Sequence, residues 1–513
     1  MQRDYALTSR ILASVVLGLQ AAACMSWKTQ PVSPDQVVAR KPDQVRVTLA
    51  SGGRIVVVRP TIVGDSLIAA PAGSDSTRSA ERLAIPLSDV RSVEVQRVNA
   101  GKTALLIGGV GLTALVVIAA ASDPGPFKSS GSGDHPAVSC PLVYSWTGTS
   151  WRLDSGTFGG AVAPALARTD VDNLMYATPE DGLLRLRVAN ELKETDYLDA
   201  ISVLAVDHAP DLTVAPGGDG QVYALGKLER PLSAVDNRGG NALARVAEPD
   251  GWGWESNPSN RDTSRVADIR DGIELTFSKP ASVDARLVVD GHNTPWAAHL
   301  TQELIAAHGR ETRAWYDSLT AYPALARGLG EMMMREAFLE VSVWSGGQWK
   351  RQGYVWEAGP EIVKRQVFPL DLSGVEGSTI RIRLQSAPSF WLIDHVALGA
   401  AETGSIQVHE LQAETALDQS GASIAGLIEA LDRQYYVMEN GISAQLSFRV
   451  PDIPAGRVRS YLVRSSGWYR IHAPEVKTPD IALLDRVHNE PFGASRASVA
   501  RMNDAVLALG ARP

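Results

Sequence analysis

The chain has 513 residues, 45% of them hydrophobic and 21% charged, and a formal net charge of -8. Its length provides for roughly three or four domains of about 100 to 200 residues each, and its composition is that of an ordinary globular protein. An acidic balance without a clustered basic stretch excludes a nucleic-acid partner.

Residues 1–24 carry the pattern of a signal peptide. Arg3 and Arg10 supply positive charge, residues 11–19 form a short apolar run, and Ala21, Ala22 and Ala23 lead into Cys24. A cysteine directly after such a run resembles the lipobox of bacterial lipoproteins, which implies a lipid-modified Cys24 at the mature N-terminus. Ala21 stands where that family usually has Leu, and cleavage after Ala23 without lipidation is the alternative. Met25 and Ser26 replace the Asp that resembles an inner-membrane retention signal, which points towards the outer membrane. Cys24 and Cys140 are the two cysteines, so lipidation leaves no intramolecular disulfide and Cys140 reads as a buried thiol.

Residues 38–99 alternate between apolar and polar, with turns at Ser51-Gly52-Gly53 and Gly64-Asp65. This predicts five short strands and a small SH3-like or Sm-like β barrel. Residues 103–122 contain no charge and match the length of a membrane helix spanning about 30 Å. Arg91, Arg97 and Lys102 before it and Asp123 after it favour a cytoplasmic side for residues 25–102, against the export signal. The expected resolution is an extracytoplasmic C-terminal part. Residues 123–139, with a Ser/Gly-rich stretch, read as a linker.

Beyond the linker the chain repeats itself. Val143-Tyr-Ser-Trp146-Thr-Gly148-Thr-Ser-Trp151-Arg152 recurs without a gap as Val341-Ser-Val-Trp344-Ser-Gly346-Gly-Gln-Trp349-Lys350, in a chain with only 12 Trp. Arg185 to Val188 recurs as Arg381 to Leu384, Leu198-Asp199 as Ile393-Asp394, Asp236-x-x-Gly239 as Asp418-x-x-Gly421, and Phe277-x-x-Pro280 as Phe448-x-x-Pro451. The copies span residues 140–296 and 339–472, each a series of alternating strands and Gly, Pro and Asp turns that predicts an antiparallel β-sandwich. A helical bridge is expected over residues 297–338, broken at Tyr322-Pro323, and a tail with one surface helix over 473–513.

The order Trp344-Ser-Gly-Gly-Gln-Trp349, residues 367–372, Gly377, Arg381-Ile-Arg383 and residues 390–396 resembles galactose-binding-like jelly-roll modules over about sixty residues. The whole chain resembles uncharacterised bacterial lipoproteins that join a small β barrel, a hydrophobic segment and such modules. The resemblance implies a mainly β fold at the cell envelope and no assigned activity.

Candidate chemistry is sparse, and no residue is named as catalytic. Asp207-His208 and Asp394-His395 are the most enzyme-like pairs, but neighbours on a strand point to opposite faces and no Gly-x-Ser-x-Gly elbow accompanies them. His299 and Glu303 share a helical face with an incomplete zinc ligand set. Asp236 and Asp418 could hold a structural calcium, which carbohydrate-binding jelly rolls often contain, yet an Asp-x-x-Gly turn closes without an ion; no other cofactor is expected. Aromatic pairs carry the binding expectation: Trp252 and Trp254 in a Gly-rich loop, and Tyr435 and Tyr436 at the matching place in the second copy. The chain reads as a membrane-anchored envelope binding or scaffold protein for polysaccharide or another protein. An envelope glycan hydrolase and a purely structural assembly subunit are the alternatives.

Overall fold

The computed structural model describes residues 25–29, 44–49, 54–63, 66–71, 83–86, 90–98, 140–251, 253–255, 268–280, 284–356, 359, 362–402, 404, 406–473 and 478–510. Cys24 with the rest of the signal segment, residues 103–122, the linker 123–139 and Trp252 lie outside the described residues. Among the described residues no helix is long and apolar enough to cross a membrane. The chain is mainly β, in several antiparallel sheets.

The N-terminal unit is one six-stranded sheet. It comprises β1 (Met25–Thr29), β2 (Gln44–Leu49), β3 (Arg54–Val63), β4 (Ser66–Pro71), β5 (Leu83–Pro86) and β6 (Val90–Val98), in the order β1-β6-β2-β3-β4-β5. Alternation places Val45, Val47, Val57, Leu67, Ala69 and Ile85 on one buried face. Strand β1, immediately after Cys24, is one strand more than the turn pattern predicts.

The second unit opens with β7 (Leu142–Trp146), β8 (Trp151–Gly156), β9 (Arg168–Leu174), β10 (Leu183–Ala189) and β11 (Glu194–His208). A small hairpin follows, β12 (Thr213–Pro216) and β13 (Val222–Leu225). Next come β14 (Ser233–Asp236), the one-turn helix α1 (Leu243–Val246), β15 (Trp254–Glu255), β16 (Asp271–Ser278) and β17 (Ala285–Asn293). Three bridging helices, α2 (Pro295–Ala306), α3 (Thr312–Ala321) and α4 (Pro323–Glu336), lead to β18 (Leu339–Ser345), β19 (Gln348–Val355), β20 (Lys364–Pro369), β21 (Thr379–Ser386) and β22 (Trp391–Ala400). The chain ends with β23 (Gln407–Leu411), β24 (Ala413–Asp418), α5 (Ala425–Ile428), β25 (Tyr436–Met438), β26 (Ser443–Arg449), β27 (Val458–Ile471), α6 (Ile481–Asn489) and α7 (Gly493–Gly510).

The sheet order shows that the folded units cross the sequence repeat. One sheet runs β24-β26-β10-β7-β8 and its counterpart β14-β16-β21-β18-β19; the facing sheets contain β25, β11, β27 and β9, and β15, β22, β17 and β20. Each sheet pair therefore joins the first half of one copy to the second half of the other. The strand orders are the same with the copies exchanged, β23 being extra. Within each pair the inward residues form one core: Leu184, Leu186, Val203 and Phe448 in the first, Ile273, Ile382, Leu287 and Val396 in the second.

Details of the repeat follow it into three dimensions. The paired Trp rings meet edge to face at 5.4 Å (Trp146 and Trp151) and 5.3 Å (Trp344 and Trp349). Gly148 and Gly346 turn at positive φ, which accounts for the glycine two residues after each first Trp. Asp199 and Asp394 are the unpaired residues of matching β-bulges, in β11 against β27 and in β22 against β17. Each carboxylate accepts from the backbone N–H of a left-handed loop residue, Arg433 and Gly251 respectively.

The hairpin β12–β13 lies between the two sheet pairs and packs on both. Val214 joins Leu204, Val206 and Leu462 of the first pair, while Ala215 and Leu225 join Val288, Val367 and Ala397 of the second. The order of layers is therefore sheet, sheet, hairpin, sheet, sheet. The bridging helices touch both cores, through Leu300 of α2 on one side and Tyr316 and Leu319 of α3 on the other. The start of α7 is buried rather than superficial: Ala494, Ser495, Ala497 and Ser498 are at most 5% exposed. There Ser495 binds Glu336, and Ser498 accepts from Trp296 Nε1.

Candidate binding site

Trp254, Tyr435 and Tyr436, singled out from sequence, fall in two separate places. Trp254 lies half-buried in β15 beside Ile393 and packs against the second core. Tyr436 is buried in the first core, 7% exposed, and Tyr435 stands edge-on to Tyr197 and near Trp468. Trp254 and Tyr436 occupy matching positions, because β15 and β25 each flank a bulged strand, and they belong to different sheet pairs.

The other candidates resolve into hydrogen-bonded structure. Asp207 is held by both arms of Arg459 (2.6 and 2.7 Å), and its neighbour His208 bonds Ser460. His395 bonds Asp290 at 3.0 Å, not Asp394, and Arg365 grips the same Asp290 twice at 2.7 Å. Burial pushes the Asp394 carboxyl up to about 6. His299 faces Glu303 at 3.6 Å, and Glu303 also pairs with Arg501. Asp236 accepts from the N–H groups of Arg238 and Gly240, and Asp418 from those of Ser420 and Ala422, so both turns close on themselves. Among the described residues no group of three or more His, Cys, Asp or Glu is placed to hold a metal ion.

A pocket of about 290 Å3 opens where the tip of the hairpin β12–β13 meets β19 and β20. Its wall includes Gly218 and Asp219 from the tip, Tyr354 and Trp356 from the end of β19, and Phe368 and Pro369 from β20. Gly218 is required by contact: a Cβ there would lie 2.3 Å from Trp356 Cδ1. Gln366 fixes the wall by accepting from the Trp356 N–H (3.0 Å) and donating to its carbonyl (2.9 Å). Arg168 reaches across from the first sheet pair to stack on Trp356 at 5.0 Å.

Asp219 provides the charge. One oxygen accepts from the Gln221 N–H at 3.0 Å, the other from the Tyr223 hydroxyl at 2.7 Å. Burial, followed by the carboxylate, pushes the Tyr223 hydroxyl up to about 12, so it remains a donor. Among the described residues no cationic side chain is ion-paired with Asp219.

These wall residues come from three chain segments, so no local motif announces them. The available signal was Pro216-Gly-Gly-Asp-Gly220 between two short apolar runs, a hairpin signature. Neither a protein-family model nor a curated protein matches the chain.

Proposed function

We propose that this chain is a membrane-anchored protein of the bacterial cell envelope that acts by binding, as a receptor or scaffold for an envelope polysaccharide or protein. In this reading residues 1–24 direct export, and a lipid on Cys24 together with residues 103–122 holds the chain at the membrane. The N-terminal sheet closes as a small SH3-like or Sm-like barrel, and the two sheet pairs are jelly-roll-like β-sandwiches.

The junction pocket carries the binding reading. Ligand sites are concave and mostly apolar, with a few placed polar groups, and favour the seams between structural units. Here three aromatic residues and one acidic residue line a pocket at such a seam, on a wall fixed by Gln366. The enzyme-like Asp-His pairs lie in hydrogen-bonded structure away from this pocket.

The test is retention of envelope material by the full-length immobilised protein. Wild type is expected to retain a polysaccharide or a protein from a solubilised envelope fraction, and Trp356→Ala to lose at least tenfold of it while keeping the wild-type melting profile. Equal retention by the folded variant, or none by wild type, overturns the reading.

A further inference from the structure

Resting on the reading of the junction pocket as a binding site, but not on a polysaccharide or protein as its occupant, we propose that the group it receives is a quaternary ammonium, borne by a small molecule or a lipid headgroup.

Tyr354, Trp356 and Phe368 line one small space, and an aromatic face attracts a cation through its quadrupole. Ring faces in this region already draw guanidinium groups: Arg168 stacks on Trp356 at 5.0 Å, Arg286 on Tyr223 at 5.3 Å and Arg351 lies 5.7 Å from the Tyr354 centroid. Asp219 adds a carboxylate to the pocket wall, and among the described residues it is without a cationic partner. A space of about 290 Å3 is at the lower limit of ligand pockets, about 300 Å3, and matches a compact headgroup.

Polar groups on the wall are already engaged, and this selects among cations. A primary ammonium has three N–H donors to satisfy, and a sugar has a hydroxyl on most ring carbons. Each Asp219 oxygen already accepts one hydrogen bond, from Gln221 or Tyr223, and the Gln366 amide is used at both ends on Trp356, which leaves fewer acceptor sites than three N–H groups or a ring of hydroxyls would use. A quaternary ammonium carries charge without any N–H, so it gains from the rings and the carboxylate and leaves no donor unsatisfied. Arg351, exposed and bonded to the Tyr354 hydroxyl at 3.0 Å, is the cation that a ligand must displace or tolerate.

Calorimetric titration of the full-length protein in detergent tests this with choline as the probe, against ethanolamine, the neutral isostere 3,3-dimethylbutan-1-ol and methyl glucoside. Choline is expected to bind at least tenfold more tightly than the other three. Asp219→Asn is expected to weaken choline at least tenfold, Phe368→Leu to weaken it several-fold, and Arg351→Ala to tighten it several-fold. Melting curves of each variant establish that it is folded. Flotation with phosphatidylcholine against phosphatidylglycerol vesicles separates the sources: selective flotation assigns a lipid headgroup, and choline binding without it assigns a free small molecule. Equal binding of the neutral isostere, preferential binding of the glucoside, or indifference to Asp219→Asn overturns the proposal. If choline fails while Trp356-dependent retention of envelope material persists, the ammonium assignment falls and the binding reading stands; if both fail, both fall.

Discussion

At the scale of single residues, the most consequential groups are two acids inside the first sheet pair. Glu194 and Asp196 are at most 1% exposed, with Glu194 accepting from the Cys140 N–H at 2.9 Å. Burial pushes the Glu194 carboxyl up to about 8, and burial and the neighbouring Glu194 charge raise Asp196 well above the carboxylate range. Tyr316 of α3 and Glu439 next to β25 also face this pair. An acid whose pKa is raised by folding stabilises the protein fully below its ordinary pKa of 4.5, and that stability is lost as pH rises through about 8. The unfolding free energy of the wild type, measured by urea denaturation, is therefore expected to fall between about pH 5 and pH 9, by an amount on the order of a few kcal/mol. In the Glu194→Gln, Asp196→Asn double variant most of that fall should vanish. An unchanged slope would show that the carboxyls titrate elsewhere.

Between elements, the two sheet pairs are joined by the hairpin β12–β13 and by one buried lysine. Lys364, at the start of β20, reaches Asp170 at 3.0 Å and Asp172 at 2.9 Å, both on β9 of the other pair. Burial and the neighbouring Asp170 hold Asp172 near 6, whereas Lys364 and Arg168 overcome burial to hold Asp170 below its ordinary value. Removing one partner of a buried ion cluster strands the others, at a cost of about 3 to 5 kcal/mol. Lys364→Ala is expected to lower stability by that amount at pH 7 and by less at pH 5, where Asp172 is protonated. Equal losses at both pH values in urea titrations would refute the clamp. Little of this was legible in the sequence, because Lys364 and Asp170 are 194 residues apart. Strands such as β10 were legible, since Leu184, Leu186 and Val188 alternate with two outward arginines. The bulge residues Asp199 and Asp394 were visible as a repeated pair, but the bulges that leave them unpaired in the ladder were not. Spacing alone does not separate a loop ring from a core ring, and Tyr436, matched by position to the loop tryptophans, is buried in the first core.

Across the whole molecule, the sequence repeat was readable while the pairing of its halves was not. Both copies carry the same pattern, so β10 satisfies it equally with β16 of its own copy or with β26 of the other; the fold uses β26. Both cores consequently depend on both copies. Cleavage at the exposed Tyr322, between α3 and α4, leaves strands of each sheet pair on both fragments. A protease site inserted there should, once cut, yield fragments that co-elute without denaturant and melt in one transition. Separation in native buffer would contradict the exchanged topology.

The exchange also sets a timetable for biosynthesis. Strand β11 finds its long partner β27 across the His208–Ser460 contact, 252 residues later in the chain. At roughly 5 to 20 residues per second, the first half of the first sheet pair emerges roughly 10 to 50 seconds before the strands that complete it. During that interval its apolar faces and open strand edges are uncovered. A nascent chain in this state is vulnerable to aggregation and dependent on holding factors.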